Sequence, residues 1–296
     1  MANTVWAYAK LSFKNPKLFE NISRTAIHKL DTFTSQELTN TIWAFEKLDH
    51  QSPVLFEAMS QRMIDKLDAF NSQALANILC AIAKLEHQAP FEAIVSKIVT
   101  ELDQYNEDAI ILLLWSLAVI NANTKAIAPL FSHLSMQYQA NKAFLSEENM
   151  HRLHQASLWF HHENRENILL PKYLMEECAL SFASGGKTVS ILQKDVVTTF
   201  QSLRYKVNEE IVCSKTGYSI DALIVLEDGE IALEVDGPSH FNDYKPAART
   251  RLKHRQLRKL GGRPLLVIPY WEWNQVSYGQ WREGKTSKNR IKDKQK

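Results

Sequence analysis

Apolar residues in the first 165 residues recur at the intervals of three and four that are typical of amphipathic helices. One predicted helix carries its apolar face on Leu38, Ile42, Phe45 and Leu48. The pattern also recurs along the chain at a nearly fixed distance. Intervals of 37, 37 and 35 residues separate four equivalent positions, Trp6, Trp43, Cys80 and Trp115. The sequence therefore predicts a helical repeat of about 37 residues.

Each repeat is predicted to contain two helices joined by a short turn. Proline starts the first helix, at Pro16, Pro53 and Pro90, where its missing N–H costs nothing. This helix is expected to run through Leu30, Leu67 or Leu102. The second helix follows an N-cap residue, which is Thr34, Asn71, Asn106 or Ser146. Because one repeat cannot bury both of its faces, neighbouring repeats are expected to stack into an α-solenoid.

The composition changes near residue 185, since all nine glycines lie at or after Gly185. Glycine supplies the backbone conformations of turns between strands, so the second part is expected to contain a sheet. Its pattern predicts helix 189–203, strands 204–213, 218–226 and 230–236, helix 247–260 and strand 265–269. Asp228 and Gly229 predict a tight hairpin between the second and third strands. We expect a solenoid over residues 1–184, an α/β domain over 187–275 and a disordered basic tail over 282–296.

Charge is distributed unevenly along the chain. Residues 237–296 contain 15 Lys and Arg against 4 Asp and Glu, a net charge of +11, whereas residues 1–236 have a net charge of −9. This asymmetry predicts a polyanionic partner for the C-terminal end. The three cysteines are too scattered for a disulfide framework or a zinc cluster, and no apolar run approaches the roughly 18 residues of a membrane span. We therefore expect neither a secreted nor a membrane protein.

The chain begins in the middle of a predicted repeat, with a second helix that lacks its first. We therefore expect an N-terminal truncation or a start codon that is set incorrectly. The opening sequence MANTVWAYAKL has neither the layout of a secretory signal nor that of a transit peptide rich in Arg and Ser. The absence of a transit peptide is therefore weak evidence about the cellular compartment of the protein.

Three acidic residues interrupt apolar strand sequences in the C-terminal part. Asp221 lies in SIDALIVL, and Glu234 and Asp236 lie in IALEVDG. Alternation places Glu234 and Asp236 on one face of their strand, and the predicted hairpin brings Asp221 toward that face. Converging carboxylates repel one another unless a cation joins them, so the three are candidate ligands of Mg²⁺ or Mn²⁺. They are also candidate catalytic residues, with His240 as a general base or a donor to phosphate.

The helix predicted after these strands is strongly basic. Its candidate nucleic-acid-binding residues are Arg249, Arg251, Lys253, Arg255, Arg258 and Lys259. A basic surface beside an acidic site suits a phosphodiester backbone, whereas a solvated helix face is the usual explanation of such a run. In the structural alternative, one carboxylate caps the hairpin and the others pair with Arg249, Arg251 or Lys253. Tyr270, Trp271 and Trp273 are expected to pack at the sheet edge rather than to stack on bases.

The repeats resemble octotricopeptide-type repeats, most clearly in QELTNTIWAFEKL (36–48) and QALANILCAIAKL (73–85). The resemblance covers residues 1–165 and implies that RNA binds along the concave face of the solenoid. Charge gives this less support, because residues 1–186 have a net charge of −5. The alternative is a protein-binding or purely structural array. The Trp and Phe residues of the repeats are expected to pack in its core.

Residues 205–275 resemble a RAP domain through EVDGPSHF (234–241), the basic helix and LRKLGGRPLLVIPYWEW (257–273). RAP domains are similar to PD-(D/E)XK nucleases, especially the very-short-patch-repair-like branch, which implies a restriction-endonuclease-like α/β fold. In this resemblance Glu234, Asp236, Gly237 and His240 match an E-x-D-G-x-x-H segment, and Asp221 matches the first acidic residue. Asp236 stands where most of that superfamily has lysine, which leaves water activation without its usual cation.

The RAP resemblance implies a function in organellar RNA metabolism, as in the FAST-kinase-like family. On this basis we expect an RNA-binding protein of the mitochondrion or chloroplast that acts in rRNA or mRNA processing or stability. A cytoplasmic location is the alternative. Its C-terminal domain would be a Mg²⁺-dependent endoribonuclease or a non-catalytic RNA-binding domain. The expected partners are RNA and proteins on the solenoid, without a membrane or a small-molecule cofactor. The alternatives are a metal-dependent DNA endonuclease and an interaction scaffold with an inactive nuclease fold.

Overall fold

A computed structural model of the chain describes residues 1–86, 91–122, 127–141, 145–163, 170–185, 189–242 and 244–275. The chain divides into two compact units, one of residues 1–175 and one that begins at Glu176. The first unit is helical, and the second combines helices with a sheet, which confirms the predicted change of character. The finer boundaries at residues 184 and 187 remain predictions, and the tail 282–296 lies outside the described residues.

The first unit is a succession of helices with short connections. Its helices are α1 Ala2–Lys10, α2 Pro16–Ile27, α3 Ser35–Lys47, α4 Pro53–Asp65, α5 Ser72–Lys84, α6 Phe91–Thr100, α7 Glu107–Ile120, α8 Ile127–Asn141 and α9 Glu147–Leu158. A π-helical turn, Trp159–Glu163, follows α9. Helix α10, Lys172–Ala183, contains the division between the two units.

The predicted helix starts are confirmed wherever they fall on described residues. Pro16 and Pro53 are the first residues of α2 and α4, whereas Pro90 lies outside the described residues. The four predicted N-cap side chains each accept a hydrogen bond from the backbone N–H three residues later, at Thr34, Asn71, Asn106 and Ser146. Thr34 and Glu37 form the reciprocal bonds of a capping box, which satisfy backbone donors that have no partner inside the helix.

The predicted ends of the first helices are wrong by a few residues. Instead of running through the leucines, α2, α4 and α6 stop earlier and a separate 3₁₀ turn follows each of them, at Leu30–Thr32, Leu67–Ala69 and Leu102–Gln104. The residues before these turns, Lys29, Lys66 and Glu101, have φ values between −120° and −127°, which interrupt the α-helical bond pattern. The tighter turn reverses the chain within a few residues.

The second helices of successive repeats pack against one another in a row. Helix α1 contacts α3, α3 contacts α5, α5 contacts α7, and α7 contacts α9. Their buried faces include Leu38, Phe45, Leu79 and Leu114, each at most 1% exposed. This packing supports the helical-repeat interpretation, since each helix buries its apolar stripe against the next repeat. Among the described helices, none combines the length and apolar composition that would be needed to traverse a bilayer.

The second unit confirms the predicted order α-β-β-β-α-β and adds short elements to it. Its elements are α11 Ile191–Ser202, β1 Lys206–Val212, β2 Ser219–Leu226, β3 Gly229–Asp236, β4 Phe241–Asn242, β5 Lys245–Pro246, α12 Ala248–Leu260, β6 Leu265–Pro269 and α13 Tyr270–Gln275. The four main strands are ordered β1-β2-β3-β6. The pairs β1–β2 and β2–β3 are antiparallel, and β3–β6 is parallel. Leu226 pairs with Gly229, so the turn consists of Glu227 and Asp228, one residue earlier than predicted.

The two faces of the sheet have different surroundings. One face is apolar and packs against α11, with Ala222, Leu233, Val235 and Ile268 in the same core cluster as Phe200. Residues that alternate with these point to the other face. On that face Lys253 and His254 of α12 contact Glu234 and Asp236. The parallel connection from β3 through α12 to β6 therefore carries α12 across the acidic face of the sheet.

Candidate metal and nucleic-acid site

The end of β3 places two carboxylates on the face that α12 covers. Glu234 and Asp236 alternate with Leu233 and Val235, whose side chains lie in the core under α11. Ala222 of β2 pairs with Leu233, so the preceding residue of β2, Asp221, lies next to Glu234 on the acidic face. Strand alternation and the hairpin thus bring the three predicted acidic residues to one region of the sheet.

Glu234 is almost completely removed from water, at 1% exposed. Burial raises its pKa to about 8, although the nearby ammonium of Lys253 favours the charged form. The Lys253 Nζ lies 2.5 Å from Oε2 of Glu234. The other oxygen, Oε1, is buried and has no hydrogen-bond partner among the described residues. A buried carboxylate oxygen without a partner is costly, and a bound cation would satisfy it.

Asp236 is equally buried but has two imidazole neighbours. The Nδ1 of His240 lies 3.1 Å from its Oδ1, and the Nε2 of His254 lies 3.1 Å from its Oδ2. Burial alone would raise the pKa of Asp236, but its interactions with His240 and His254 lower the pKa to about 2. Asp236 is therefore an anion at neutral pH, and it holds the side chain of His240 at the edge of the site.

Three side chains of this site converge closely enough that they could hold a metal ion. One donor atom each of Glu234, Asp236 and His254 lies within 4.8 Å of the other two, and all three residues are buried. A set of two carboxylates and one imidazole fits a divalent cation such as Mn²⁺ or Mg²⁺. The unpaired Oε1 of Glu234 is an independent sign that the arrangement fits a cation.

Asp221 makes a hydrogen bond within the sheet in this geometry. Its Oδ2 accepts a hydrogen bond of 2.7 Å from the backbone N–H of Val235, and burial raises the pKa of its carboxyl group. The carboxylate thus ties β2 to the end of β3 and is not one of the three converging donors. Its predicted place among the metal ligands remains a prediction, which a variant of Asp221 can test.

His254 was not identified as a ligand from the sequence, where it was one residue inside a basic run. Its buried neighbours on α12 include Thr250 and Leu257, four residues before and three residues after it. This i, i+4, i+7 spacing is the pattern of a buried helix face. The signal that could have identified His254 as a ligand was therefore a histidine on a buried helix face opposite two buried acidic residues.

The six cationic residues of α12 have different surroundings. Arg249, Arg258 and Lys259 are exposed, whereas Arg251, Lys253 and Arg255 are half-buried. The guanidinium of Arg251 donates to the carbonyl oxygen of Pro246 at 2.9 Å, and Lys253 contacts Glu234. Arg249, Arg258 and Lys259 thus face solvent, while Arg251 and Lys253 make contacts within the second unit.

Aromatic residues after β6 pack together, as expected from the sequence. The ring of Trp271 lies 4.3 Å from that of Phe241 and 5.0 Å from that of Tyr244, measured between centroids. The indole N–H of Trp273 donates to Asp195 of α11 at 2.7 Å. These contacts fix α13 and the β4–β5 hairpin at the sheet edge.

Two family models match separate parts of the chain. Residues 1–139 match the model of RNA-editing substrate-binding complex 6 protein, and residues 233–289 match the RAP domain. The second match includes the acidic end of β3, the basic helix and strand β6. It confirms the resemblance to RAP domains that the sequence indicated. The first match covers most of the repeat region, where the more specific octotricopeptide interpretation remains a prediction.

A curated protein of Oryza sativa subsp. japonica, described as a chloroplastic RAP domain-containing protein, is 34% identical to this chain over 92 residues. The match covers 30% of this chain and 14% of the rice protein, so the chain corresponds to a small part of that relative. The site of Glu234, Asp236 and His254 thus lies in a C-terminal segment that matches the RAP domain, behind an N-terminal region of helical repeats.

Proposed function

We propose that this chain is an RNA-binding protein that acts in the processing or stability of organellar RNA. The observation that carries the proposal is the basic helix α12 over a buried acidic site, inside a segment that matches the RAP domain. The match of residues 1–139 to a protein of an RNA-editing complex adds independent support. The chloroplastic description of the rice relative supports an organelle as the compartment.

The finer architecture belongs to this proposal. The packed second helices α1, α3, α5, α7 and α9 form a row. This row supports an α-solenoid that presents one continuous surface to a partner. The α-β-β-β-α-β order, with acidic residues on adjacent strands, supports a nuclease-like α/β domain. In this proposal both units bind RNA. The repeats would bind it through side chains at equivalent positions of successive helices, and the second unit through the exposed cations of α12.

Binding by α12 is electrostatic in this proposal. Arg249, Arg258 and Lys259 would attract phosphate groups, and each neutralised phosphate would release condensed counterions. Single-stranded RNA should therefore bind more weakly as the salt concentration rises. Removal of one phosphate contact should make the negative slope of log binding constant against log salt concentration shallower by about 0.7.

A direct test measures binding of the full chain to single-stranded RNA, duplex RNA and duplex DNA at two salt concentrations. A variant with Arg258→Ala and Lys259→Ala should bind RNA more weakly and with a smaller salt slope. Lys206→Ala, which removes an exposed cation from β1, is the matched control and should retain wild-type binding. Tighter binding to duplex DNA would instead support a DNA endonuclease, and absence of all binding would leave an interaction scaffold.

The buried donor group favours a second activity, metal-dependent cleavage of RNA. Glu234, Asp236 and His254 would hold a divalent cation, which supplies Lewis-acid stabilisation of charge on a phosphate. Lys253 would add positive charge beside the same site and compensate in part for the lysine that Asp236 replaces. His240 is the most accessible of these side chains, 42% exposed, and would exchange a proton with the substrate.

Cleavage is tested with a labelled single-stranded RNA and Mg²⁺ or Mn²⁺. Glu234→Gln and His254→Ala should abolish a cation-dependent activity, whereas Asp228→Asn, in the exposed turn before β3, should leave it unchanged. Equal activity in the wild type and all variants would assign the cleavage to a contaminant. RNA binding without any cleavage would retain the proposed binding function and reject the nuclease.

A further inference from the structure

A groove of about 270 Å³ lies in the first unit, where the second helices of the first repeats meet. Its lining includes Trp6 and Lys10 of α1, Asn40 and Trp43 of α3, and Asn77 of α5. The two tryptophans occupy equivalent positions of the repeat, as do the two asparagines. The groove is therefore built by residues that recur with the period of the chain.

The tryptophans of the groove differ from the later tryptophan of the same series. Trp6 is 40% exposed, whereas Trp115 is 3% exposed and its indole N–H donates to Gln155 at 2.8 Å. Trp43 is half-buried. The expectation that the Trp and Phe residues of the repeats pack in the core is therefore wrong for Trp6, while it holds for Trp115.

A cation and two amides complete the groove. The Lys10 ammonium lies 5.3 Å from the ring centroid of Trp6 and 5.4 Å from that of Trp43. The half-buried side chain of Asn40 has no hydrogen bond to another described residue, and Asn77 uses its oxygen to accept from Gln73. Among the described residues that line the groove, Lys10 is the charged one. A phosphate entering the groove would thus meet a positive charge, although the surrounding unit is acidic.

We propose that this groove binds an unpaired base of single-stranded RNA. The base would stack on the indole of Trp43 or Trp6, and the amides of Asn40 and Asn77 would bond to its polar edge. Lys10 would leave the space between the indoles and contact the adjoining phosphate. The groove volume suits one base, since it is below the roughly 300–1,000 Å³ of pockets for drug-sized ligands. This inference rests on the proposed RNA binding and assigns part of it to the repeats.

The experiment compares a single-stranded RNA of about 12 nucleotides with an abasic ribose-phosphate oligomer of equal length, each labelled for fluorescence anisotropy. The wild-type chain should bind the RNA more tightly than the abasic oligomer. Trp43→Ala should raise the Kd for RNA about 5- to 50-fold and leave the Kd for the abasic oligomer unchanged. Trp43→Phe should restore part of the preference, because it retains an aromatic face.

Two controls separate this effect from folding and from binding by α12. Val54→Ala truncates an exposed apolar side chain of α4, outside the groove, and should bind like the wild type. Thermal unfolding checks that Trp43→Ala is folded, and Asn77→Ala supplies a second groove variant at an exposed position. The pair Arg258→Ala and Lys259→Ala should weaken binding of both oligomers equally.

The outcomes distinguish this proposal from the more general one. If the wild type binds RNA but Trp43→Ala and Asn77→Ala retain its preference for bases, the groove proposal is overturned and RNA binding by the chain stands. Equal binding of RNA and abasic oligomer by the wild type would overturn it as well. Absence of RNA binding by the wild type would reject both proposals.

Discussion

The ammonium of Lys253 lies 2.5 Å from the buried carboxylate of Glu234, although the two residues belong to different elements of the second unit. The nuclease-like domain of our proposal would usually have a lysine at the position of Asp236. Here Lys253 brings its positive charge to the same acidic site. It belongs to helix α12, which covers this face of the sheet, and not to strand β3. The fold thus places a cation at the site although the strand motif lacks one.

Loss of the Lys253 ammonium should destabilise the chain. Lys253→Met removes the charge that faces buried Glu234, and we expect a decrease of about 1–3 kcal/mol in the free energy of unfolding. Urea denaturation measures the change, and Lys206→Met on the exposed edge of β1 is the control. A decrease no larger than that of the control would show that the contact contributes little to stability.

Divalent cations should stabilise the folded chain if the three converging donors bind them. Mn²⁺ in excess of its Kd should raise the Tm of the wild type, since a ligand that binds only the folded state stabilises it. His254→Ala should lose most of this increase, because it removes one of the three donors.

Asp221→Asn is the discriminating variant for the same measurement. Its amide oxygen can still accept from the backbone of Val235, so the fold is expected to persist. The increase in Tm should also persist if His254 rather than Asp221 is the third ligand. If the cation-induced increase in Tm is lost in Asp221→Asn and kept in His254→Ala, the ligands are those predicted from the sequence. Asp221 would then be the third ligand instead of His254.

The contact between Trp115 and Gln155 should contribute to the stability of the first unit. Both side chains are buried, and Gln155→Ala leaves the indole N–H without this acceptor. We expect the free energy of unfolding to fall by about 1–3 kcal/mol. Replacing both partners, in Trp115→Phe with Gln155→Leu, should lower the free energy of unfolding by less than the sum of two decreases. These are the decreases in the single variants Trp115→Phe and Gln155→Leu. Additive losses would indicate that the hydrogen bond is not the cause.

The thiol of Cys178 should be unreactive in the native chain. Burial raises the pKa of this thiol from its ordinary value of 9.0 to about 12, and the thiolate is the reactive form. At pH 8 this shift alone should slow alkylation by iodoacetamide about 10³-fold relative to the unfolded chain. The native rate should increase about tenfold for each pH unit between 7 and 10. Mass spectrometry of the Cys178 peptide measures both rates, and equal rates would contradict the buried position.

Local features of the fold could be predicted well from the sequence. The capping box of Thr34 and Glu37 spans three residues, and strand β6 has the predicted bounds Leu265–Pro269. Such features depend on near neighbours in the chain, so composition and spacing carry the information. The ends of the first helices were less predictable, because apolar leucines such as Leu30 fit both a longer helix and a 3₁₀ turn.

The sequence by itself determined that two carboxylates of β3 share a face, that a basic helix follows them, and that tryptophans recur with the period of the repeats. Only the tertiary structure decided that His254 joins Glu234 and Asp236, that Lys253 faces Glu234, and that Trp115 is buried while Trp6 is exposed. These relationships depend on how α12 crosses the sheet and on what packs over each repeat. Strand and helix periods specify the side of an element on which a residue lies, but packing between elements decides which residue it meets there.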